Sequence, residues 1–162
     1  MNERKMRRSR QQLDQQAAIE ILLGGKTGVM AVVDDDNFPY AVPVNYVYSD
    51  GYIYIHSAAQ GHKIDALKHN PRCSFCVIES DEIVAEEFTA YFRSAIAFGT
   101  VQFITTEDEK IAILRKLCDK YSPGLDSSTE IGKCLKAVTI IAIRIEQLTG
   151  KEAIELVRRR TK

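Results

Sequence analysis

The sequence predicts a mainly β protein: a closed or nearly closed barrel with a few peripheral helices. About six β-rich runs are separated by turn residues, and shorter segments between them have apolar residues at helical spacing. No apolar run approaches the roughly 20 residues that a membrane-spanning helix needs. A barrel is favoured because closing the sheet removes exposed strand edges.

Composition bounds the size of the domain and the class of partner. A chain of 162 residues with 45% hydrophobic content can bury one good core, so we expect a single domain over residues 1–162. Lys plus Arg total 22 and Asp plus Glu total 22, which argues against nucleic-acid binding. The N-terminus lacks the apolar core of a signal peptide, so we expect a cytoplasmic protein with no membrane partner.

Basic residues are concentrated at both ends, and we expect basic tails at about residues 1–10 and 152–162. Such runs are usually solvated. The alternative is that they help to hold an anionic cofactor across a dimer. The residues are Arg4, Lys5, Arg7, Arg8 and Arg10 at one end and Arg158, Arg159 and Arg160 at the other.

The first half of the chain predicts a helix followed by a β-meander. Apolar residues at helical spacing run from Leu13 until Gly24-Gly25 ends the pattern. Asp50-Gly51, between two aromatic-rich runs, is a good tight-hairpin turn and would set the strand register. The predicted strands are Thr27–Val33, Tyr40–Tyr48 and Tyr52–Ser57.

The second half predicts three more strands and further short helices. The acidic stretch Glu79–Glu87 predicts an exposed loop, and Gly99 inside the longest strand indicates a bulge or a close backbone approach. Thr106 and the acidic residues after it are typical of a helix start. The other predicted helices are His62–His69 and about Thr129–Leu135, and the strands are Cys73–Glu79, about Tyr91–Ile104 and Ala137–Ile145.

Cys73-Ser-Phe-Cys76 superficially suggests a redox or zinc pair. In a strand, however, residues three apart point to opposite faces, and no further zinc ligands stand at suitable spacing. We therefore expect buried free thiols and no metal site. The remaining cysteines are Cys118 and Cys134.

A candidate anion site lies where the third strand passes through a small-residue loop into a helix. Amides at a helix start lack partners within the helix, so a phosphate gains hydrogen bonds there. Lys63 adds a positive charge, Ser57 a hydroxyl, and Gly61 allows close backbone approach. The alternative is an ordinary connection with a solvated lysine, and the local residues do not decide between the two.

The neighbouring strand could hold a flat ring. Alternation places Val44 and Tyr46 on one face and Asn45 on the other, where its amide could bond a ring edge. Tyrosines at alternate positions are, however, usually cross-strand packing.

Three polar residues in strands complete the candidates. His56 could donate a proton near neutral pH, although a histidine that ends a strand is more often structural or exposed. Arg93 and Ser94 interrupt the long apolar strand, and a charged group there needs a partner. A phosphate from either subunit, or a carboxylate of the acidic stretch, would serve.

Several segments in this order resemble the nitroimidazole-resistance-like flavoproteins of the pyridoxamine 5'-phosphate oxidase-related superfamily. The fold of these proteins is the FMN-binding split barrel. Each motif is short, but their order and spacing together carry the resemblance over nearly the whole chain. The segments are Pro43–Tyr48, Ile55–Ala58, Gly61–Lys63, Tyr91–Gly99, Lys120–Leu125 and Thr149–Glu152.

The resemblance implies a homodimer with two FMN molecules between the subunits. It places the phosphate near Ser57 and Lys63, the ring against the Val44–Tyr46 strand, and Arg93-Ser94 of this or the other subunit near the cofactor. It also makes His56 the candidate catalytic residue. The implied cofactor-binding set is Val44, Asn45, Tyr46, His56, Ser57, Ala58, His62, Lys63, Arg93 and Ser94.

The implied function is reduction of a small planar acceptor, such as a nitroimidazole, another nitroaromatic or a quinone, by reduced FMN. His56 would position the acceptor or provide a proton. One alternative is a non-catalytic flavin-binding or redox-sensing protein. Another is a haem-binding split barrel with His56, His62 or His69 as the iron ligand.

Overall fold

The computed structural model describes residues 4–160, which form one antiparallel sheet with helices packed against it. The strands are β1 (Gln12–Leu13), β2 (Thr27–Val33), β3 (Pro39–Asn45), β4 (Val47–Ser49), β5 (Tyr52–Ala58), β6 (Arg72–Val84), β7 (Thr89–Ile104) and β8 (Val138–Glu152). The helices are α1 (Gln15–Gly24), α2 (His62–His69), α3 (Glu107–Tyr121), α4 (Ser128–Cys134) and α5 (Ile154–Arg160). Short 3₁₀ turns cover Ser9–Gln11 and Ala85–Glu87.

The sheet is curled but not closed. Its hydrogen-bonded order is β3-β2-β6-β7-β8-β5-β4, with β1 added beside β8. The outermost strands, β3 and β4, are separated in sequence by Tyr46 alone. One extended segment therefore pairs with β2 through its first part and with β5 through its last part. This arrangement confirms the prediction of a mainly β protein with peripheral helices.

The larger core fills the inside of the curled sheet. Alternate residues of the strands point inward, as burial along β5 and β6 shows. Helices α1 and α2 add their apolar faces to the same cluster, so both are fastened to the sheet by burial rather than by helix propensity. The largest fully buried side chains of this core are Tyr46, Phe75, Ile21, Leu22, Met30, Ile53, Ile55, Ile64, Leu67, Ile141 and Ile143.

A second core covers part of the outer face of the sheet. Helices α3 and α4 pack their apolar residues against Val138 and Ile140 of β8, with Val47 and Tyr54 at the margin. The outer face of β2, β6 and β7 is different, because it leaves Val29, Ile78 and Ile96 exposed. One half of the outer face is thus covered by helices of the chain itself and the other half presents apolar side chains to solvent.

Two strand predictions were wrong in their extent. The stretch Glu79–Glu87 is not a loop, since β6 continues to Val84 and pairs with β7 past a register shift at Ile78/Ser80. The predicted strand Tyr40–Tyr48 is divided at Tyr46 into β3 and β4. A charged and exposed segment can still be a strand, because hydrogen bonds to the neighbouring strand hold it in place without burial in a core.

The prediction of a C-terminal tail from about residue 152 was also wrong, because most of these residues belong to a strand or a helix. Strand β8 continues to Glu152, whose side chain is buried, and α5 spans Ile154–Arg160. At the other end, residues 4–8 are mostly exposed and Ser9–Gln11 form a 3₁₀ turn. The tail residues 1–3 and 161–162 lie outside the described residues.

The predicted special positions are confirmed. Asp50 and Gly51 both have positive φ, 53° and 82°, as the tight hairpin between β4 and β5 requires. Gly99 lies at a register shift between β7 and β8, and a Cβ atom there would stand 2.3 Å from the Arg144 carbonyl oxygen.

The four cysteines are free thiols, and Cys73 and Cys76 occupy opposite faces of β6, as predicted. Burial raises the pKa of the Cys73 thiol to about 12. The expectation of buried thiols is confirmed for Cys73, whereas Cys76 is only half-buried; Cys134, which lies outside that strand, is exposed.

Candidate functional site

The connection from β5 to α2 forms the candidate anion site. Gly61 precedes α2 with φ 123° and ψ 165°, a conformation that only glycine adopts readily. The amides of Ile64 and Asp65 donate to the Gly61 carbonyl oxygen at 2.8 and 3.1 Å. The amides before Ile64 have no partner within the helix and are free to donate to a ligand.

Ser57 is the most informative residue of this connection. It points inward with Ile53 and Ile55, opposite Thr139 of β8, and is 6% exposed. Its Oγ has no hydrogen-bond partner among residues 4–160. A buried hydroxyl without a partner costs about 1–3 kcal/mol. A bound oxygen-rich group would remove this cost.

Three neighbours of Ser57 are accessible. Lys63 is half-buried, and His56 and Ala58 are exposed on the outer face of β5. Within the described chain neither Lys63 nor His56 has a side-chain hydrogen bond or an ion pair, so both are available to a ligand. Because β4 pairs only with residues 52–54 of β5, the backbone edge beyond Tyr54 is also open on that side.

Tyr46 does not form the ring-binding wall that the sequence suggested. It is completely buried, its hydroxyl donates to the Leu22 carbonyl oxygen at 2.7 Å, and its ring meets Phe75 edge-on with centroids 4.9 Å apart. Its backbone amide is bonded to the Tyr121 hydroxyl at 2.8 Å. Tyr46 is therefore a core residue that fastens α1 and α3 to the β3–β4 junction.

The other two residues of that segment differ in orientation. Val44 is half-buried and packs against the inner core, which leaves only part of its side chain for a ligand. Asn45 is exposed on the opposite face, and its Nδ2 donates to the Lys26 carbonyl oxygen at 3.1 Å. Asn45 keeps its side-chain oxygen free to accept a hydrogen bond within residues 4–160.

The side chain of His62 already has partners within the protein. Its Nε2 lies 3.2 Å from Asp34 Oδ2, and its ring stacks on Tyr40 with centroids 4.2 Å apart. The amide of Phe38, with help from His62, holds the pKa of the Asp34 carboxyl below its usual range. His62 thus ties the start of α2 to the β2–β3 turn, which positions Lys63 beside it.

Arg93 already has carboxylate partners. Its Nη1 lies 2.6 Å from Glu79 Oε2, and its Nε lies 3.8 Å from Glu152 Oε2. The sequence left two partners open for Arg93, a phosphate or a carboxylate of the acidic stretch. The structure supplies the carboxylate, so no phosphate is needed to balance the charge of Arg93. Ser94 is half-buried on the outer face, between Ile78 of β6 and Lys151 of β8.

The structure does not bring all the predicted residues together. Ser57 pairs with Thr139 near the beginning of β8, whereas Arg93 pairs with Glu152 at its end. At roughly 3.3 Å per residue, the two positions are about 40 Å apart along the strand. His56, Ser57, Ala58 and Lys63 form one group, and Arg93-Ser94 of the same chain cannot belong to it.

A cavity of about 350 Å³ lies beside this group and was not predicted from the sequence. It combines two lysines and two threonine hydroxyls with apolar walls, and so suits an anion that carries an apolar part. No local motif indicates it, because its residues come from α2, α3, β7, β8 and the connections between them. They are Ala59, Ile64, Lys68, Phe103, Ile104, Thr105, Lys110 and Thr139.

Lys120 belongs to one of the segments that carry the family resemblance, but it was not among the predicted site residues. Its Nζ lies 4.0 Å from the centroid of the Tyr46 ring and has no hydrogen-bond partner within residues 4–160. Burial lowers the pKa of its amine. The motif Lys120-Tyr121 thus acts by packing on Tyr46, since the Tyr121 hydroxyl contacts both Tyr46 and the Lys26 carbonyl oxygen at 2.7 Å.

Residues 4–160 also bear on two other classes of protein, those that span a membrane and those that bind a metal ion. No helix in that range is long and apolar enough to cross a membrane. In the same range, no three His, Cys, Asp or Glu side chains are grouped so that they could hold a metal ion.

The chain has a recognisable family signature and many structural relatives. The sequence model of the Pyridoxamine 5'-phosphate oxidase family matches residues 14–152. No curated protein sequence is significantly similar to the chain. A candidate 5-nitroimidazole antibiotic resistance protein from Bacteroides thetaiotaomicron is 26% identical over 87% of this chain and 86% of that chain, with a TM-score of 0.76.

Two other solved structures show the same fold. A FAD-binding protein from Mesorhizobium loti is 26% identical over 88% of this chain and 96% of that chain, with a TM-score of 0.65. A conserved hypothetical protein from Mycobacterium tuberculosis has a TM-score of 0.80 over 91% of this chain and 90% of that chain, and at 15% identity it supports the fold alone. The split-barrel architecture predicted from the sequence is confirmed by these structures.

Proposed function

Because the chain belongs to the Pyridoxamine 5'-phosphate oxidase family, we propose that it is an FMN-binding flavoprotein that reduces a small planar acceptor, nitroimidazole-like or quinone-like. Family membership does not specify the reaction, since one fold serves many functions. The proposal therefore rests on the β5–α2 connection. The observation that carries it is that the buried Ser57 hydroxyl has no partner within residues 4–160, and that the open amides at the start of α2 and Lys63 follow it in the same connection.

These groups suit the phosphate of FMN. Ser57 Oγ and the amides at the start of α2 are hydrogen-bond donors, and Lys63 supplies a positive charge without a carboxylate partner in residues 4–160. Asn45 and the open backbone edge of β5 offer further polar groups to a ring system. When bound, a flavin supplies the electron-transfer chemistry, while the protein orients it and sets its electrostatic surroundings.

His56 is the candidate for proton delivery or acceptor positioning. It lies one residue before Ser57 on the opposite face of β5, and its ring is exposed. An accessible imidazole can act as a general acid and donate a proton to a reduced acceptor. The imidazole of His56 therefore lies on the solvent side of β5, and the opposite face of β5 would hold the phosphate.

We also propose that the protein is a homodimer formed through the bare half of the outer sheet face. A row of side chains crosses four strands there, with Val29 beside Cys76, Cys76 beside Ile96, and Ile96 beside Thr149. Val29 and Ile96 are each 38% exposed and Ile78 is 59% exposed. An exposed apolar sheet face of this kind is typical of an interface. In such a dimer, Ser94 on the same face would approach the partner subunit.

The spectrum of the purified protein and a turnover assay test the function. We expect flavin absorption bands that persist after gel filtration, and reduction of a nitroimidazole or quinone when a chemical or nicotinamide donor is supplied. Flavin without turnover would leave a non-catalytic flavin-binding or sensor protein. A Soret band would show that the protein binds haem instead of flavin. A colourless protein that does not bind added FMN would contradict both the flavin proposal and the haem alternative.

Lys63→Ala tests the proposed phosphate site. We expect the affinity for FMN to fall about tenfold or more, because a charge-assisted hydrogen bond to the phosphate is lost. Titration of apoprotein with FMN, followed by flavin fluorescence, measures the change. Lys68→Ala on the same helix is the matched control and should bind FMN normally. A loss with Lys68→Ala but not with Lys63→Ala would move the phosphate into the 350 Å³ cavity.

A further inference from the structure

A two-stranded arm projects beyond the main sheet. The last pair between β7 and β8 is Arg93–Glu152, whereas β6 and β7 continue to pair as far as Val84–Thr89. Within the described chain, residues 81–84 and 89–92 have no other strand partner. Isolated two-stranded hairpins are only marginally stable in water. The arm, defined as residues 81–92, therefore depends on contacts outside the sheet.

The arm is acidic and has an apolar tip. Residues 81–92 contain the carboxylates Asp81, Glu82, Glu86 and Glu87 and no lysine or arginine. At the tip, Phe88 is 97% exposed and has φ 50° and ψ 41°, a left-handed conformation that is unfavourable for a bulky residue. An aromatic side chain held outward in this way is a good anchor for a protein contact.

The base of the arm is fastened to α5, which fixes the direction of the tip. Arg159 Nη2 donates to the Tyr91 hydroxyl at 3.0 Å, and that hydroxyl donates to Glu87 Oε2 at 2.6 Å. The amide of Ala153 donates to the Phe92 carbonyl oxygen at 2.9 Å. Because of these bonds, the arm can enter a pocket without first being ordered, which lowers the entropic cost of binding.

A basic cleft of about 410 Å³ lies between residues 7–11 and the start of α5. Arg7, Arg8 and Arg10 line it, and within residues 4–160 none of them has a carboxylate at ion-pair distance. Ile154 adds an apolar wall. Gln11, which is 3% exposed, also lines the cleft, and its Oε1 has no partner in the described chain. The cleft therefore suits an acidic segment with an apolar side chain.

The arm and the cleft lie at the same end of the sheet. The arm begins beyond Arg93, which pairs with Glu152, and Ile154 of the cleft follows two residues after Glu152. The exposure of Phe88 shows that the arm does not occupy the cleft of its own chain. A twofold axis near this end would bring each arm to the cleft of a second copy. A cavity of about 150 Å³ holds a benzene ring, so the cleft has room for Phe88.

We propose that in the homodimer the arm of each protomer docks into the Arg7–Gln11 cleft of its partner. Phe88 enters the cleft, and Glu86 faces the arginines of the partner subunit. The proposal rests on the proposed homodimer and adds a second, charge-complementary contact to the bare sheet face. It also gives the basic N-terminal residues a role in assembly.

Photo-crosslinking from position 88 tests the contact directly. Phe88→p-benzoylphenylalanine protein, assembled from mixed ¹⁵N-labelled and unlabelled subunits, is irradiated and its cross-linked peptides are identified by mass spectrometry. We expect peptides that join position 88 to residues 7–11 or 154 and that pair one labelled with one unlabelled chain. Phe38→p-benzoylphenylalanine is the matched control, since Phe38 is also exposed at 73%, and should give none of these products.

The outcomes separate the arm contact from the dimer itself. Cross-links from position 88 only to other regions, or only within one chain, would overturn the arm contact while sedimentation still shows a dimer. A wild-type protein that sediments as a monomer at micromolar concentration would overturn both.

Binding strength and charge provide a second measurement. Phe88→Ala should raise the dimer dissociation constant about a hundredfold or more, because two buried aromatic side chains, one from each protomer, are lost from the dimer. Arg8→Glu should also weaken the dimer, and combining it with Glu86→Arg should restore at least part of the loss. Equal dissociation constants for wild type and Phe88→Ala would contradict the proposal.

Discussion

At the scale of single residues, the candidate site depends on which side chains lack partners. Ser57 and Lys63 remain unpartnered in the described chain, whereas His62, Arg93 and Tyr46 have partners within the protein. The residue types alone did not distinguish the two groups, since each can bind a phosphate or a ring. A buried hydroxyl without an acceptor or donor is costly, so Ser57 is the clearest sign of a ligand.

His56→Ala is the residue-scale prediction for the proposed reaction. Because His56 is exposed and has no partner within residues 4–160, its loss should leave stability and FMN affinity nearly unchanged. Turnover of a nitroimidazole or quinone should fall about a hundredfold, within the usual range for a lost general acid. Steady-state kinetics measure this. Loss of flavin of equal severity would make His56 a binding residue instead.

At the scale of secondary-structure elements, the long strands β7 and β8 organise the protein. They meet along nearly their whole length, and a register shift at Gly99 allows both to bend around the inner core. The glycine was recognisable in the sequence as a bulge or a close approach. Its partner was not, because Arg144 is distant in the chain and the approach depends on the pairing of two strands.

Gly99→Ala tests this contact. The added methyl group would stand 2.3 Å from the Arg144 carbonyl oxygen and 2.9 Å from Ile143 Cγ2, so the strands must separate. We expect the free energy of unfolding to fall by about 1–3 kcal/mol, as for other overpacked positions. Urea unfolding followed by circular dichroism measures the loss. Gly132→Ala, in α4 with nothing within 4 Å of the new methyl group, is the control and should stabilise the protein slightly.

At the scale of the whole molecule, the outer sheet face is divided between a helical cover and a bare half. Helices α3 and α4 bury Val138 and Ile140, while Val29 and Ile96 remain exposed. Leaving such a face to solvent forgoes the stabilisation that burial would bring.

Ile96→Lys tests the proposed dimer. A charge in the middle of the bare face should convert the protein to a monomer, since an unpaired buried cation is strongly unfavourable. If FMN lies between the subunits, flavin should be lost together with the dimer. Sedimentation velocity with detection at the flavin absorption band records both. Leu125→Lys, at an equally apolar position that is 72% exposed outside this face, should remain a flavin-containing dimer.

The sequence by itself determined most of the elements and their order along the chain. Local patterns were sufficient for α1, α2, the Asp50-Gly51 hairpin and the Gly99 irregularity, because each depends on neighbouring residues or on backbone conformation. The connection between β5 and α2 was recognisable for the same reason.

Only the tertiary structure decided which polar groups are already satisfied and which edges and faces stay open. The strand character of Glu79–Val84, the burial of Glu152 and the pairing of Arg93 with Glu79 all depend on partners distant in the chain. So does the separation of Ser57 from Arg93 along β8. Hydrogen bonds and burial between distant segments are properties of the packed chain, and no local pattern of residues encodes them.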